Sequence, residues 1–421
     1  MFSIFKRFQP ITSAFAPNYT IRDVLIAMKY IYLPWKWSSL QKGNKQDMLE
    51  TDFKEYMDSR YAVSFDSARS GFFAILKCIG IGEGDEILLQ AFTTVALPNA
   101  IMWCKAKPIF IDIDERTYNM DPGLIEKHIT PKTKAIVIQH TFGNAADLDK
   151  ILNIARKHKL LIIEDCAHSL GSEYRGKKTG TFGNAAFFSF GRDKVISSVS
   201  GGIVITEDWK LGKSILEFRD KLPYPSKINT IRQLLHPIIT VKSLKLYYFF
   251  NIGKLMMYAA GKSGILTKAY DKNEKDNIIP QNFPAKMPNA LCEIAIHQLT
   301  LADKFNNHRI KIASFYAHKL KDENRIKLPQ STPGSRNIFL WYTILSENKK
   351  YVISKAKENG IVLGDWFPQP VGPIEVNLKR SGYEIGSCPV AEKVSSKCIN
   401  LPTNKNTCKS DAIRVINILT E

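Results

Sequence analysis

Three short runs carry side chains that could share one piece of chemistry. Asp165 closes the apolar run Leu-Leu-Ile-Ile-Glu-Asp, and Ser189 lies near the end of another, Ala-Ala-Phe-Phe-Ser-Phe. Lys194 follows five residues after Ser189. If both runs are parallel strands, their carboxyl ends open on one edge, and an acid, a hydroxyl and an amine meet in one crevice. A fourth feature, Ser67-Ala68-Arg69-Ser70-Gly71, sits at a strand-to-helix junction. Free N–H groups at a helix start make a cradle for phosphate. An amine, a carboxylate, a hydroxyl and a phosphate cradle match what pyridoxal phosphate requires. The amine forms a Schiff base with its aldehyde. The carboxylate keeps the pyridine nitrogen protonated and so strengthens the ring as an electron sink. Each residue also has a plain structural reading: an aspartate that caps a turn, a serine packed in a strand, a lysine in solvent. Spacing alone leaves both readings open.

Holding these groups together takes an α/β frame. Apolar strand-like runs occur at Tyr61–Phe65, Glu86–Gln90, Pro108–Ile113, Ala135–His140, Leu160–Asp165, Ala185–Phe190 and Gly202–Thr206. Between them Gly71–Cys78, Thr93–Lys105, Pro122–His128 and Asp147–His158 read as helices; the last places Leu148, Ile151, Leu152 and Ile154 at helical spacing. Such alternation predicts a large domain over residues 51–220 with a mainly parallel sheet and helices on both faces. Residues 1–50 read as an irregular, basic, aromatic N-terminal arm that packs onto something, with Tyr30, Tyr32, Trp35 and Trp37. Residues 221–280 hold ten Lys/Arg against three acids and form a basic amphipathic insertion. It either buries one face on its own protein or lies on an anionic membrane. Residues 281–421 give a long helix over 289–320 and a smaller C-terminal α/β domain. That domain has strands at Ile338–Leu345 and Ile361–Leu363, and helices at Tyr351–Asn359 and Ser410–Leu419.

Composition narrows the class. At 44% hydrophobic and 24% charged, the 421 residues exclude a disordered chain. The net charge of +19 suits phosphorylated small molecules, nucleic acid or an anionic membrane. No nucleic-acid motif accompanies the charge, and diffuse lysines are usually solvated faces, so no nucleic-acid partner is expected. No GxGxxG follows a strand, which weakens a dinucleotide reading. The seven cysteines are odd in number, irregularly spaced and without CxxC, so neither a disulfide framework nor a zinc site is expected. The opening Met-Phe-Ser-Ile-Phe-Lys-Arg-Phe lacks the apolar core of a signal peptide, and no run of about 18 apolar residues could span a bilayer. A cytoplasmic protein is expected, with peripheral membrane contact through 221–280 as an added possibility.

One stretch carries most of a family likeness. It runs Glu164-Asp165-Cys166-Ala167-His168, then Gly176-Lys177-Lys178-Thr179-Gly180-Thr181-Phe182-Gly183, Phe188-Ser189-Phe190, Lys194 and Gly201-Gly202. This resembles the DegT/DnrJ/StrS aminotransferases, enzymes of fold type I that depend on pyridoxal phosphate and mostly aminate keto-sugars carried on nucleotides. Gly80–Glu86, Asp112-Ile113-Asp114, Thr130–Ile136, His140–Asp147, Ile294–Leu299 and Cys388-Pro389-Val390-Ala391-Glu392 resemble the family too. The likeness covers roughly residues 50–210 and 285–421.

The resemblance implies an aminotransferase with an amino acid, glutamate by family habit, as donor and a homodimer as its assembly. It implies Lys194 as the Schiff-base lysine and acid/base, Asp165 facing the pyridine nitrogen, and His168 beside the ring. Ser189, Arg69 and Ser70 fall where the family holds the phosphate. The chain departs from the pattern at Ala68-Arg69, where Gly-Thr is usual, and at Ser200, where a glutamate is common. Thr94 aligns with the aromatic that often stacks on the cofactor, with Phe92 nearby as a substitute. Pro284-Ala285 and Lys286 align with an asparagine and an arginine that serve a neighbouring subunit. These changes imply altered substrate recognition. Relatives that dehydrate sugars replace the lysine with histidine, which position 194 does not. A catalytically divergent or regulatory protein on the same fold is the alternative.

Overall fold

A computed structural model describes residues 8–15, 18–267 and 270–421. The seven strand-like runs form one sheet: β1 (Tyr61–Phe65), β2 (Glu86–Gln90), β3 (Lys107–Ile111), β4 (Thr133–Gln139), β5 (Leu161–Asp165), β6 (Ala185–Ser189) and β7 (Gly202–Thr206). The order across the sheet is β1-β7-β6-β5-β4-β2-β3. The pairs from β6 to β3 are parallel, and β7 runs antiparallel to both its neighbours. Period-two alternation sorts the side chains onto two faces. Ile87, Leu89, Ala135 and Val137 enter one core, and Leu88, Ile136, Ile138 and Ile162 enter the other. Both faces are apolar because both are covered.

The helices follow in chain order: α1 (Ile21–Tyr32), α2 (Lys45–Met57), α3 (Ala68–Cys78), α4 (Ala96–Trp103), α5 (Leu148–His158), α6 (Trp209–Asp220), α7 (Lys227–Lys245) and α8 (Ile252–Lys262). Then come α9 (Asn289–Leu299), α10 (Ala302–Leu320), α11 (Lys349–Glu358), α12 (Pro389–Lys397) and α13 (Lys409–Thr420). Helix α5 shows why such a segment folds as it does. Asp147 caps its start by accepting from Lys150 N–H, and Leu148, Ile151 and Ala155 form the buried stripe. A second core unites α10, α11 and α13 with a three-stranded antiparallel sheet of β8 (Ile326–Lys327), β9 (Tyr342–Ser346) and β10 (Cys398–Leu401).

Several elements differ from the sequence reading. The stretch before residue 50 is not irregular: α1 starts on a capping box in which Thr20 and Asp23 exchange hydrogen bonds. Trp35 and Trp37, read as packing residues, are exposed. Residues 122–128 form two short 3₁₀ turns rather than an α-helix. The single helix over 289–320 is two, broken at Thr300-Leu301. The strand at 338–345 begins only at Tyr342. Residues 221–280 fold as α7, α8 and a single turn, Lys272–Lys275. The seven cysteines are free thiols.

Candidate active site

The carboxyl ends of β1, β5 and β6 and the start of α3 surround a cavity of about 770 Å³. Asp165, Ser189 and Lys194 all line it, together with Asp66, Ser67 and Arg69. Asp165 is the last residue of β5 and is buried, and its Oδ1 accepts from Ala167 N–H at 2.9 Å. Burial raises its carboxyl above the ordinary aspartate range, while that N–H, the Lys194 charge and His140 draw it back down. Lys194 sits in the turn beyond β6. Burial lowers its ammonium from 10.5 to about 8, against the pull of Asp165 and Asp193. A lysine poised there carries a usable fraction of free amine near neutral pH.

His168 touches Lys194 and is absent from the cavity wall. Its Nε2 lies 2.8 Å from Lys194 Nζ, and its ring stacks on Phe142 with centroids 5.6 Å apart. Burial, then the Lys194 charge, holds its pKa well below the usual histidine value. A neutral imidazole that accepts from the Lys194 ammonium at Nε2 carries its proton on Nδ1. That atom is buried without a protein partner.

Adjacent acids at the end of β5 divide their tasks. Glu164 is fully buried and accepts from Gly180, Phe182 and Gly183 N–H, each at 2.7 Å. It also bonds His140 Nε2 at 2.9 Å, and Ala146 N–H fills His140 Nδ1, which places the histidine's proton on Nε2. Glu164 thus pins the Gly-Lys-Lys-Thr-Gly-Thr-Phe-Gly loop and leaves Asp165 for the cavity. His140, Glu164 and Cys166 cluster closely enough to suggest an ion site, but these four donors already occupy the carboxylate.

The phosphate cradle differs in detail from the sequence reading. Ser67 is the N-cap of α3, accepts from Ser70 N–H at 3.2 Å, and faces the cavity. Ser70 is buried, is absent from the cavity wall, and donates its hydroxyl to Asp66 at 2.6 Å. Ser200, at the position where the family resemblance has a glutamate, donates to Asp66 O at 2.6 Å and ties β7's approach to this loop. Close packing explains Gly202: a Cβ there would overlap Ala68 N and lie 2.8 Å from Phe188 O.

The insertion reaches the site, which neither sequence reading of it placed there. Tyr270 lines the cavity, and its hydroxyl lies 2.5 Å from Thr94 Oγ1. Glu274 pairs with Arg69, whose guanidinium lies 5.9 Å from the ring centroids of both Tyr270 and Phe283. Thr267 accepts from Arg192. Phe92 does not substitute at Thr94: it is fully buried against Phe142 and Phe367 and is absent from the cavity wall. Asp66 was missed as a cavity residue, and Ser67, named in the cradle run, takes the place there that the resemblance gave to Ser70. Nothing in the sequence links Tyr270 to Thr94.

The donor set fits pyridoxal phosphate. Lys194 offers an amine partly free of its proton, Asp165 a buried carboxylate, and Ser67, Ser189 and the α3 N-terminus offer donors for a phosphate. The model of the DegT/DnrJ/EryC1/StrS aminotransferase family matches residues 33–225 and 255–420. A GDP-perosamine synthase from Caulobacter vibrioides is 29% identical over 377 residues, covering 88% of each chain. An uncharacterized protein from Methanocaldococcus jannaschii is 30% identical over 387 residues, covering 89% of each. Among solved structures, DesV of S. venezuelae in complex with a ketimine intermediate superposes with a TM-score of 0.76 at 23% identity, covering 98% of this chain and 97% of that one. The likeness establishes the fold as type I, with the mainly parallel large sheet expected.

Proposed function

Because the chain belongs to the DegT/DnrJ/EryC1/StrS aminotransferase family and is a pyridoxal-phosphate-dependent sugar aminotransferase, we propose that its donor is an amino acid and its acceptor a nucleotide-linked keto-sugar. When bound, the cofactor supplies an aldehyde carbon that receives the amino group and a pyridinium ring that withdraws electrons. Asp165 holds the proton of the ring nitrogen. Lys194 Nζ would hold the aldehyde and would be the group placed to carry the proton in each half-reaction. His168 would orient Lys194 through Nε2. Ser189, Ser67 and the amides at the start of α3 hold the phosphate, with Arg69 beside them.

The observation that carries this reading is the lysine lowered to about 8 in one cavity with a buried carboxylate and a helix N-terminus. The nucleotide part rests on charge. Arg192, Arg232 and Lys272 line the cavity beyond the cofactor set, interspersed with Asp193, Asp271 and Glu274, and the cations among them suit a diphosphate. A related protein acts as a GDP-perosamine synthase, a name that carries a nucleotide-linked sugar. Glutamate as the donor and a homodimer as the working form belong to the same reading and follow the family resemblance.

The test uses the aminated form of the enzyme, made with glutamate. Nucleotide-linked keto-sugars are expected to restore the starting visible spectrum, and the same sugars without a nucleotide are not. Equal response to free sugars removes the nucleotide; no response to glutamate removes that donor. Light scattering checks the homodimer, and a monomer that turns over removes it.

A further inference from the structure

Helix α8 is apolar where it should be polar. Its buried positions are Gly253 and Ala260, where it crosses the end of α7. Ile252, Leu255 and Tyr258 point elsewhere and are exposed, the last two at 67% and 64%. At about 100° per residue these three fall within an arc of roughly 120°. Phe250, just before the helix, is 85% exposed. A second stripe lies on α1, which also packs on α7. Ile21, Leu25, Met28 and Tyr32 follow i, i+4, i+7, i+11 spacing and are all exposed, and Trp35, at 70%, follows them. Scattered exposed apolar residues are ordinary, but a continuous exposed stripe on each of two helices that both pack on α7 is not.

The charge along the insertion has one sign up to residue 270, whereas Lys29 on α1 is paired with Glu293. Residues 221–270 contain eight Lys/Arg and no Asp or Glu. Lys242, Lys245, Lys254 and Lys262 are exposed. Lys254 Nζ lies 4.5 Å from the ring centroid of the half-buried Tyr248. The one acid of α1, Asp23, is buried and spent on Thr20 and Gln298. A second copy of the chain would set these cations against themselves in a two-fold contact. Nucleic acid would leave the leucine and isoleucine side chains wet.

We propose that α8, with Phe250 and the exposed stripe of α1, seats this enzyme on an anionic lipid surface. The apolar arc enters the headgroup boundary, the tyrosines and tryptophan sit at its level, and the lysines meet lipid phosphates. The segment lies on the surface rather than across it; among the described residues no helix is long and apolar enough to cross a membrane. The same insertion that presents this face also reaches the cavity through Tyr270 and Glu274.

The test is co-sedimentation of the cofactor-loaded full chain with vesicles. Phosphatidylcholine vesicles containing about one-third phosphatidylglycerol should bind it at about 0.1 M salt and release much of it at about 0.5 M, and pure phosphatidylcholine should not bind it. The variant F250E/L255E/Y258E should bind about tenfold more weakly, with the half-reaction with the amino donor unchanged. L25E should weaken binding on its own. K254Q/K262Q should weaken it and flatten the salt dependence. Failure of the parent protein to bind anionic vesicles overturns the proposal, as does equal binding by the triple glutamate variant. A parent that ignores vesicles and a triple variant of smaller mass in light scattering would show that the face is a contact between copies instead. None of these readouts depends on which sugar is the substrate.

Discussion

At the scale of single residues, the site works by separating the environments of groups that look alike. Glu164 is saturated by four donors and shapes a loop, while Asp165, one residue on, keeps its second oxygen for the cavity. Lys194 is set apart by how far its surroundings lower its ammonium. Its folded value of about 8 lies below the ordinary 10.5, so between those limits the unfolded chain holds a proton that the folded chain has lost. Stability of the cofactor-free protein therefore gains a contribution that rises with pH from about 8 to 10.5. Denaturant titrations at the two ends of that window should show the gain in the parent and its loss in Lys194→Met. Tyr270 is a cavity wall anchored by Thr94. Tyr270→Ala should weaken cofactor binding about tenfold in a spectral titration, and Tyr270→Phe, which keeps the ring, far less. Unaltered affinity in both removes Tyr270 from the site. Asp165, Ser189 and Lys194 were legible because strand ends and short spacings are local properties. Tyr270 was not, because it meets Thr94 across 176 positions of chain. Ser70 was misplaced by one helical step: the cap, Ser67, faces the cavity, and the residue it caps turns inward.

At the scale of elements, the start of α3 and the end of β7 form one construction. Gly202 lets β7 pass against Ala68, so the N–H groups of α3 reach the cavity instead of a side chain. Gly202→Ala should cost about 1–3 kcal/mol in folding stability by overpacking, and should weaken phosphate-dependent cofactor affinity as well. Denaturation and spectral titration of one preparation measure both, and a variant normal in both contradicts this reading of the junction. The strands were legible because their two-sided apolar runs permit little else, and five of the seven were placed within one residue at each end. Helix α1 was not, because aromatic density drew attention from the Thr20-x-x-Asp23 cap in the sequence. The break between α9 and α10 was hidden because apolar periodicity continues through Thr300-Leu301 while the chain turns.

At the scale of the whole molecule, two stretches that resemble the family separately prove to be one contact. Asp112, just past β3, accepts from Val390 and Ala391 N–H, each at 2.8 Å, at the start of α12. A buried carboxylate on a helix N-terminus thus joins the large sheet to the C-terminal unit. Asp112→Ala should lower stability by about 1–2 kcal/mol, read by denaturation, and a neutral result would make the contact incidental. The 278 positions between them leave no local pattern that links the two motifs in the sequence. The chemistry of the whole molecule turns on which amine holds the cofactor. Borohydride reduction of the protein with pyridoxal phosphate, followed by peptide mapping by mass spectrometry, asks this directly. The added mass should lie on Lys194 alone and vanish in Lys194→Ala; a label on another lysine, or none in the parent, would contradict the assignment.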